Sequence, residues 1–427
     1  MRWLVPLVRL AGLAIATASA SAAPPAAYTL VFTDGHFNMS GAPAIKCGGD
    51  GTMPFWIQTA QFDASGSTLV APPKDFTTEL CGAGYLSVHP NRSALLVASM
   101  DLTTPGNIGN VATYVVDLAL KAPQTPRPAF ADLSPLLAAC GAGVCVEAST
   151  FHGTFSPAGD RIVFAYRVWD HDETGVGNQA LATADADGAN VKPLTFTTAG
   201  AYKGINIIDM CPAPTRGDPS SVFFLRSLDQ GMSMFAARVE VATGKVDVLL
   251  ALPEYAISSG CANFVETADG VTVMYMGCAG SLANCSFSAR SASASVVRAE
   301  KRDARAAWGT ANAMPLPGSP AANHTQYNYG TVKLPKGAAP EKLAFAPTFN
   351  VPLTTTPDTI GSYAITQCDQ VHGAADSRLI TCEGADPDHS FTQMVLVDSQ
   401  TGANVSAISY NTFRECMTPR CSLLMTV

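Results

Sequence analysis

The stretch Phe155-Ser156-Pro157-Ala158-Gly159-Asp160-Arg161-Ile162-Val163-Phe164-Ala165-Tyr166 constrains this chain more than any other. Pro157 and Gly159 set a turn, and the β-branched and aromatic residues after it fill a strand. Further on, Ala180 to Thr183 reads as a second short strand and Asp185-Ala186-Asp187-Gly188-Ala189-Asn190 as a polar turn. Val191 to Phe196 reads as the returning strand, because Asp-Gly between two short strands is a strong hairpin signal.

The same order of features recurs. Leu86-Ser87-Val88-His89-Pro90-Asn91-Arg92-Ser93 precedes an apolar strand from Ala94 to Ala98, and Tyr114 to Asp117 follows. Cys211-Pro212-Ala213-Pro214 leads, after a loop, into another unit, whose strands are Ser221 to Leu225, Met234 to Val241 and, after Ala242-Thr243-Gly244-Lys245, Val246 to Leu250. Ala268-Asp269-Gly270 leads into Val271 to Tyr275. Ser377 to Thr381, Met394 to Asp398 and Val405 to Ile408 form a late unit. Gln61 to Gly66 with Ser67 to Ala71 forms an early one. Equivalent turns lie about 50–65 residues apart. This makes six units, the one around 325–355 the most degraded, and leaves a seventh open.

FSPAGDRIVFAY followed by LATADADGANVKPLTF resembles the WD40-like repeat of TolB-type β-propellers, in which a Ser-Pro-Asp-Gly turn and a strand precede an Asp-Gly-type hairpin ending in Leu-Thr. This copy departs at Ala158, where Asp is usual. The likeness is specific over roughly residues 151–197 and worn elsewhere. It implies an all-β fold, a β-propeller of six, or seven, four-stranded blades, spanning residues 28–427 as a single domain. The first and last strands of a propeller often complete one blade together, and Tyr28 to Phe32 is the candidate N-terminal strand. Radial closure leaves only short, protected edges. The resemblance also implies recognition of a protein through the loop faces or the channel.

Helix is scarce. Ala129 to Ala139, ahead of Cys140, is the best candidate, and Ser288 to Trp308 reads as a helix or a long loop. Residues 1–22 read as a secretory signal peptide: Arg2 and Arg9 flank an apolar run that continues through Leu10 to Ile15, and Ala18 to Ala22 offers small-residue cleavage sites. No later apolar run is long enough to span a bilayer, which needs about 18 residues. Losing Arg2 and Arg9 leaves 24 basic residues against 34 acidic ones, a net charge of −10. A nucleic-acid partner is therefore not expected, since phosphate binding needs a positive field.

Twelve cysteines, all after the signal segment, read as disulfides in an exported chain. The close pairs are Cys140 with Cys145, Cys278 with Cys285, Cys368 with Cys382, and Cys416 with Cys421. Cys47, Cys81, Cys211 and Cys261 then pair among themselves. Zinc is the competing reading of the two pairs with four intervening residues, but no Cys-x2-Cys and no His-x3-5-His accompanies them. Asn-x-Ser/Thr sequons stand at Asn38, Asn91, Asn284, Asn323 and Asn404.

Asp170-His171-Asp172-Glu173-Thr174-Gly175 is similar to the first half of a calcium loop, so Asp170 and Asp172 are the metal candidates and calcium the candidate cofactor. Leu181 stands where the closing bidentate Glu belongs, and a solvated acidic loop is the alternative. Asp386-Pro387-Asp388-His389 is a second acidic loop. Of the seven histidines, His36, His89, His152, His324 and His372 are candidates to converge on a channel. The plain alternative is histidines bonded within turns. There is no Gly-x-Ser-x-Gly elbow and no phosphate-binding glycine run. The expected protein is a secreted or periplasmic, monomeric, disulfide-stabilised scaffold that binds protein or glycan without catalysis. The alternative is a hydrolase or lyase acting on polysaccharide or peptide through channel histidines and carboxylates.

Overall fold

The computed structural model describes residues 28–35, 54–62, 69–78, 80–81, 86–100, 111–172, 175–197, 207–215, 217–228, 233–251, 263–267, 270–278, 327–335, 349–352, 364–367, 379–385, 392–398, 404–408 and 423–426. They are mostly β-strand with one short helix, in keeping with the all-β expectation. The signal segment 1–22, residues 288–308, and His36, His324, His372 and His389 lie outside them.

Strands follow one another in antiparallel groups. β1 (Tyr28–Gly35), β2 (Pro54–Phe62) and β3 (Leu69–Asp75) form the first, with β4 (Leu80–Cys81) on the start of β2. The second unit is β5 (Leu86–Val88), β6 (Ala94–Met100), β7 (Val111–Asp117) and β8 (Arg127–Pro128). After α1 (Ser134–Ala138) comes the third unit, β9 (Glu147–Phe155), β10 (Arg161–Trp169), β11 (Gly175–Asp185) and β12 (Lys192–Pro193). The fourth is β13 (Ile207–Pro214), β14 (Ser221–Leu228), β15 (Ser233–Glu240) and β16 (Val246–Ala251). The third and fourth merge into one sheet through a single parallel pair, Gln179 opposite Ile208. Two further groups follow: β17 (Asn263–Thr267), β18 (Gly270–Cys278), β19 (Tyr327–Pro335) and β20 (Phe349–Pro352), then β21 (Ala364–Gln367), β22 (Leu379–Ala385), β23 (Thr392–Asp398) and β24 (Asn404–Ile408). The last strand, β25 (Leu423–Thr426), returns to pair antiparallel with β1, from Val31 opposite Thr426 to Asp34 opposite Leu423. Within units, β4 apart, each strand pairs with the next in sequence, as consecutive elements favour.

The sheets pack face on face. Strand β10 carries the unbroken run Ile162 to Tyr166, every residue at 0% exposure. Its even-numbered side chains pack with Leu96, Val115 and Leu136 of the second unit and α1. Val163 and Ala165 pack on the other face with Val222, Phe224, Ala237 and Val239 of the fourth unit. A strand covered on both faces reads as a continuous apolar run, which this one does.

The turns that open the second and third units share one backbone. The His89 N–H donates to Ala94 O at 2.8 Å and that of Arg92 to His89 O at 2.7 Å. In the next unit Ser156 N–H donates to Arg161 O at 2.8 Å and Gly159 N–H to Ser156 O at 2.9 Å. Arg92 and Gly159 occupy the same left-handed position, with φ of 61° and 76°. Glycine takes this conformation without penalty, whereas for arginine it costs about 1–2 kcal/mol.

Three sequence expectations need correction. The returning strand is Lys192–Pro193 rather than Val191 to Phe196. Pro193 has no N–H to continue the ladder, and the Leu181 N–H turns to Thr195 Oγ1 at 2.9 Å. Cys211-Pro212-Ala213-Pro214 ends β13 and leads through a loop to β14, in the order expected. A bulge between Met210 and Ala213, with Cys211 at φ 54°, takes Pro212 out of the ladder. That loop is built on Asp218, whose carboxylate accepts from Ser220 and Ser221. The helix covers only Ser134–Ala138 of the 129–139 segment. Ala129 N–H is drawn to Thr113 O at 2.8 Å, and Pro135 sits in the first turn, where a missing N–H is tolerated. The early strand is Leu69–Asp75, later than Ser67 to Ala71.

Candidate functional site

Asp170 and Asp172 sit at the connection between β10 and β11. Asp170 Oδ1 accepts the Asp172 N–H at 3.0 Å, which closes a local turn, and His171 and Asp172 are exposed. Glu173 and Thr174 lie outside the described residues, and Leu181 is buried at 0% exposure in β11. Among the described residues no three His, Cys, Asp or Glu side chains gather around a point that would hold a metal ion. The acidic loop at Asp386 and the side chains of Cys278, Cys285, Cys368, Cys382, Cys416 and Cys421 lie outside the described residues. Cys140 and Cys145 are disulfide-bonded, as the close spacing suggested, with Cα atoms 5.9 Å apart. Cys211 is also disulfide-bonded, to a cysteine outside the described side chains.

Of the channel histidines, His89 and His152 are described, and they enter different joints. His89 closes the joint between the second and third units. Its Nε2 lies 2.9 Å from Gly159 O, and its ring meets Phe155 edge-on at 4.6 Å. Hydroxyls complete this joint: Ser87 Oγ lies 3.1 Å from Thr154 Oγ1, Thr113 N–H donates to Thr150 Oγ1 at 2.8 Å, and Thr113 Oγ1 donates to Phe151 O at 2.9 Å. His152 belongs to the next joint, with Nδ1 3.6 Å from Cys211 Sγ.

That next joint holds the polar centre that the sequence reading missed. Asp209, at 0% exposure in β13, accepts from Arg226 Nε at 2.7 Å and Nη2 at 2.8 Å in a bidentate pair. Thr195 Oγ1 of the third unit donates to Asp209 Oδ2 at 2.7 Å, and Gln179 Nε2 donates to Asp209 O at 3.2 Å. Leu181 N–H, Thr195 and Asp209 thus form a relay that ends on a guanidinium. The signal was a lone Asp in Ile207-Ile208-Asp209-Met210 and a lone Arg in Phe224-Leu225-Arg226. A charge inside an apolar strand is rarely buried without a partner. With its oxygens taken by Arg226 and Thr195, this carboxylate is placed to hold two units together.

Surface charges are tuned locally. The Ser220 and then the Ser221 hydroxyls hold the Asp218 carboxyl below the usual carboxylate range, with Arg238 assisting. Arg238 Nη2 lies 3.1 Å from Asp247 Oδ2, which likewise lowers Asp247. Burial pushes the Tyr166 phenol up.

No known family model matches the chain, and no curated protein matches it. Solved structures similar to it include a prolyl endopeptidase at 9% identity, with a TM-score of 0.37, 93% of this chain covered and 43% of the other. TolB from Acinetobacter baumannii is similar at 14% identity, TM-score 0.30, over 53% of this chain and 49% of its own. An oligogalacturonate lyase from Vibrio parahaemolyticus is similar at 10% identity, TM-score 0.30, over 52% and 60%. The chain spans less than two thirds of the length of each of these structures.

Proposed function

We propose that the chain is an extracytoplasmic β-propeller whose successive four-stranded units are blades, and that it recognises a protein or glycan through its loop faces or channel without catalysis. One observation carries the reading: units packed face on face, with the last strand β25 paired to the first strand β1. In support, β25, β5, β9 and β13, each the strand from which its unit's pairing starts, lie beside one another in that order, as strands around a common axis do. The bonded Cys140–Cys145 pair supports an oxidising compartment. Among the described residues no helix is long and apolar enough to cross a membrane. Units locked by buried polar joints leave the connecting loops free to vary, and loops on a rigid scaffold are where binding residues concentrate. The Asp170–Asp172 connection is one such loop, and calcium there remains part of the proposal.

The test has two arms. An experimental structure with the units set in a ring around one axis supports the architecture, and an open stack of sheets overturns it. For function, the chain is immobilised and challenged with a glycan array and with the proteins of its own extracellular fraction. Retention of one component, lost when residues 170–174 are replaced by Gly-Ser, supports loop recognition. Turnover of a polysaccharide or peptide replaces it with the enzymatic reading. A melting temperature unchanged by chelator removes calcium.

A further inference from the structure

We propose that His89 is a pH-sensitive clasp between the second and third units, held there as the neutral imidazole with its proton on Nε2. The two ring nitrogens have partners of opposite and fixed character. The Asn91 backbone N–H points at Nδ1 at 3.2 Å, and a backbone N–H can only donate, so Nδ1 carries no proton. Gly159 O stands 2.9 Å from Nε2, and a carbonyl can only accept, so Nε2 carries one. These partners come from two different units, so a single tautomer bridges the joint. The contact is close: a Cβ added at Gly159 would come within 2.5 Å of the imidazole Cε1. Phe155 packs edge-on against the same ring.

Protonation adds an N–H at Nδ1, which then faces the Asn91 N–H, donor against donor. The surrounding charges do not compensate. Arg92 is on the same turn. On the facing turn Asp160 accepts the Ser156 hydroxyl at 2.8 Å, and Arg161 pairs with Asp185 at 2.9 Å. Asp117, opposite Ala94, accepts the Ala119 N–H at 2.9 Å. The neighbouring strands β5, β6 and β25 carry no ionisable side chain, and Glu147 and His152 on β9 and Tyr166 and Arg167 on β10 lie further along their strands. Among the described residues no carboxylate is bonded to the ring, so they offer an acceptor for one ring proton only. Acidification therefore loosens this joint and spares the one centred on Asp209 and Arg226. This inference does not depend on the proposed function.

The test uses the full chain with nitrogen-15-labelled histidine. The His89 ring signals, assigned by their loss in His89→Gln, are followed from about pH 8 to about pH 5, on either side of the titration of free histidine. The expected result at the upper pH is the Nε2-protonated neutral tautomer. The melting-temperature advantage of wild type over His89→Gln is expected to narrow by about 1–3 °C across that range. A ring protonated on Nδ1 at the upper pH, or an advantage equal at both ends, overturns the proposal. Where His89→Gln folds poorly, loss of the same signals in His89→Asn assigns them, and the wild-type spectrum then decides.

Discussion

The joint between the second and third units and the joint between the third and fourth are built on one plan with different chemistry. In both, a hairpin-turn glycine docks under a carbonyl just past the short outer strand of the preceding unit. Gly188 sits where a Cβ would come 1.8 Å from Ala129 O, and Gly244 where it would come 2.5 Å from Leu194 O. Both glycines have left-handed φ, 89° and 72°. Both outer strands are a basic residue followed by proline, Arg127–Pro128 and Lys192–Pro193. The polar centres differ. The first joint uses neutral hydroxyls and an imidazole, each making one or two bonds of modest strength. The second uses a fully buried ion pair, whose desolvation is repaid only while both partners are present. The same scaffold geometry can thus be closed by graded contacts or by an all-or-none one.

The largest expected break is Asp209→Ala. It strands the Arg226 guanidinium in the core and costs about 3–5 kcal/mol, read as a fall in the denaturation midpoint. The double variant Asp209→Leu with Arg226→Met recovers most of that loss if the pair itself is the cause. Gly188→Ala attacks the device common to both joints. A methyl at φ 89° pressed against Ala129 O is expected to destabilise by about 2–4 kcal/mol, and Gly244→Ala by less, in line with its wider clearance. Equal losses would show that the two dockings are not graded by distance. Thr150→Val tests the neutral joint. It removes the acceptor of the buried Thr113 N–H and is expected to cost about 1–3 kcal/mol, below Asp209→Ala. A cost equal to that of Asp209→Ala would erase the contrast.

Asp218→Asn has the smallest effect, because the carboxylate is over a third exposed and solvent screens it. Its folded value is depressed, so its stabilisation is fully present above the unfolded value near about 3.9 and is lost as pH falls through the lower folded one. The gap between wild type and Asp218→Asn, under about 1 kcal/mol at neutral pH, is expected to close in that acidic window. Paired melts at neutral and strongly acidic pH read it directly.

Strands were legible wherever apolar runs met turn residues: Ala94 to Ala98 and Ile162 to Tyr166 fall within β-strands, and Met234 to Val241 does so up to Glu240. What the sequence does not display is how a proline is held within a strand. Pro212 sits in a bulge that keeps the chain in the sheet, and a bulge depends on the partner strand β14, which local sequence does not display. The Asp209–Arg226 pair was visible only as two odd charges in apolar strands. What joined them was the register of β13 on β14, which sets Asp209 opposite Arg226.

By itself the sequence determined the repeated turn-and-strand unit, the local Cys140–Cys145 bond and the apolar strand at Ile162 to Tyr166. Each follows from backbone preference, short spacing or an unbroken apolar run, all of which act between near neighbours in the chain. Only the tertiary structure decided which units meet, why Gly188 and Gly244 must lack side chains, which proton His89 keeps, and which residues of the last strand pair with β1. Those outcomes depend on groups far apart in sequence whose fit is defined only once the sheets have packed.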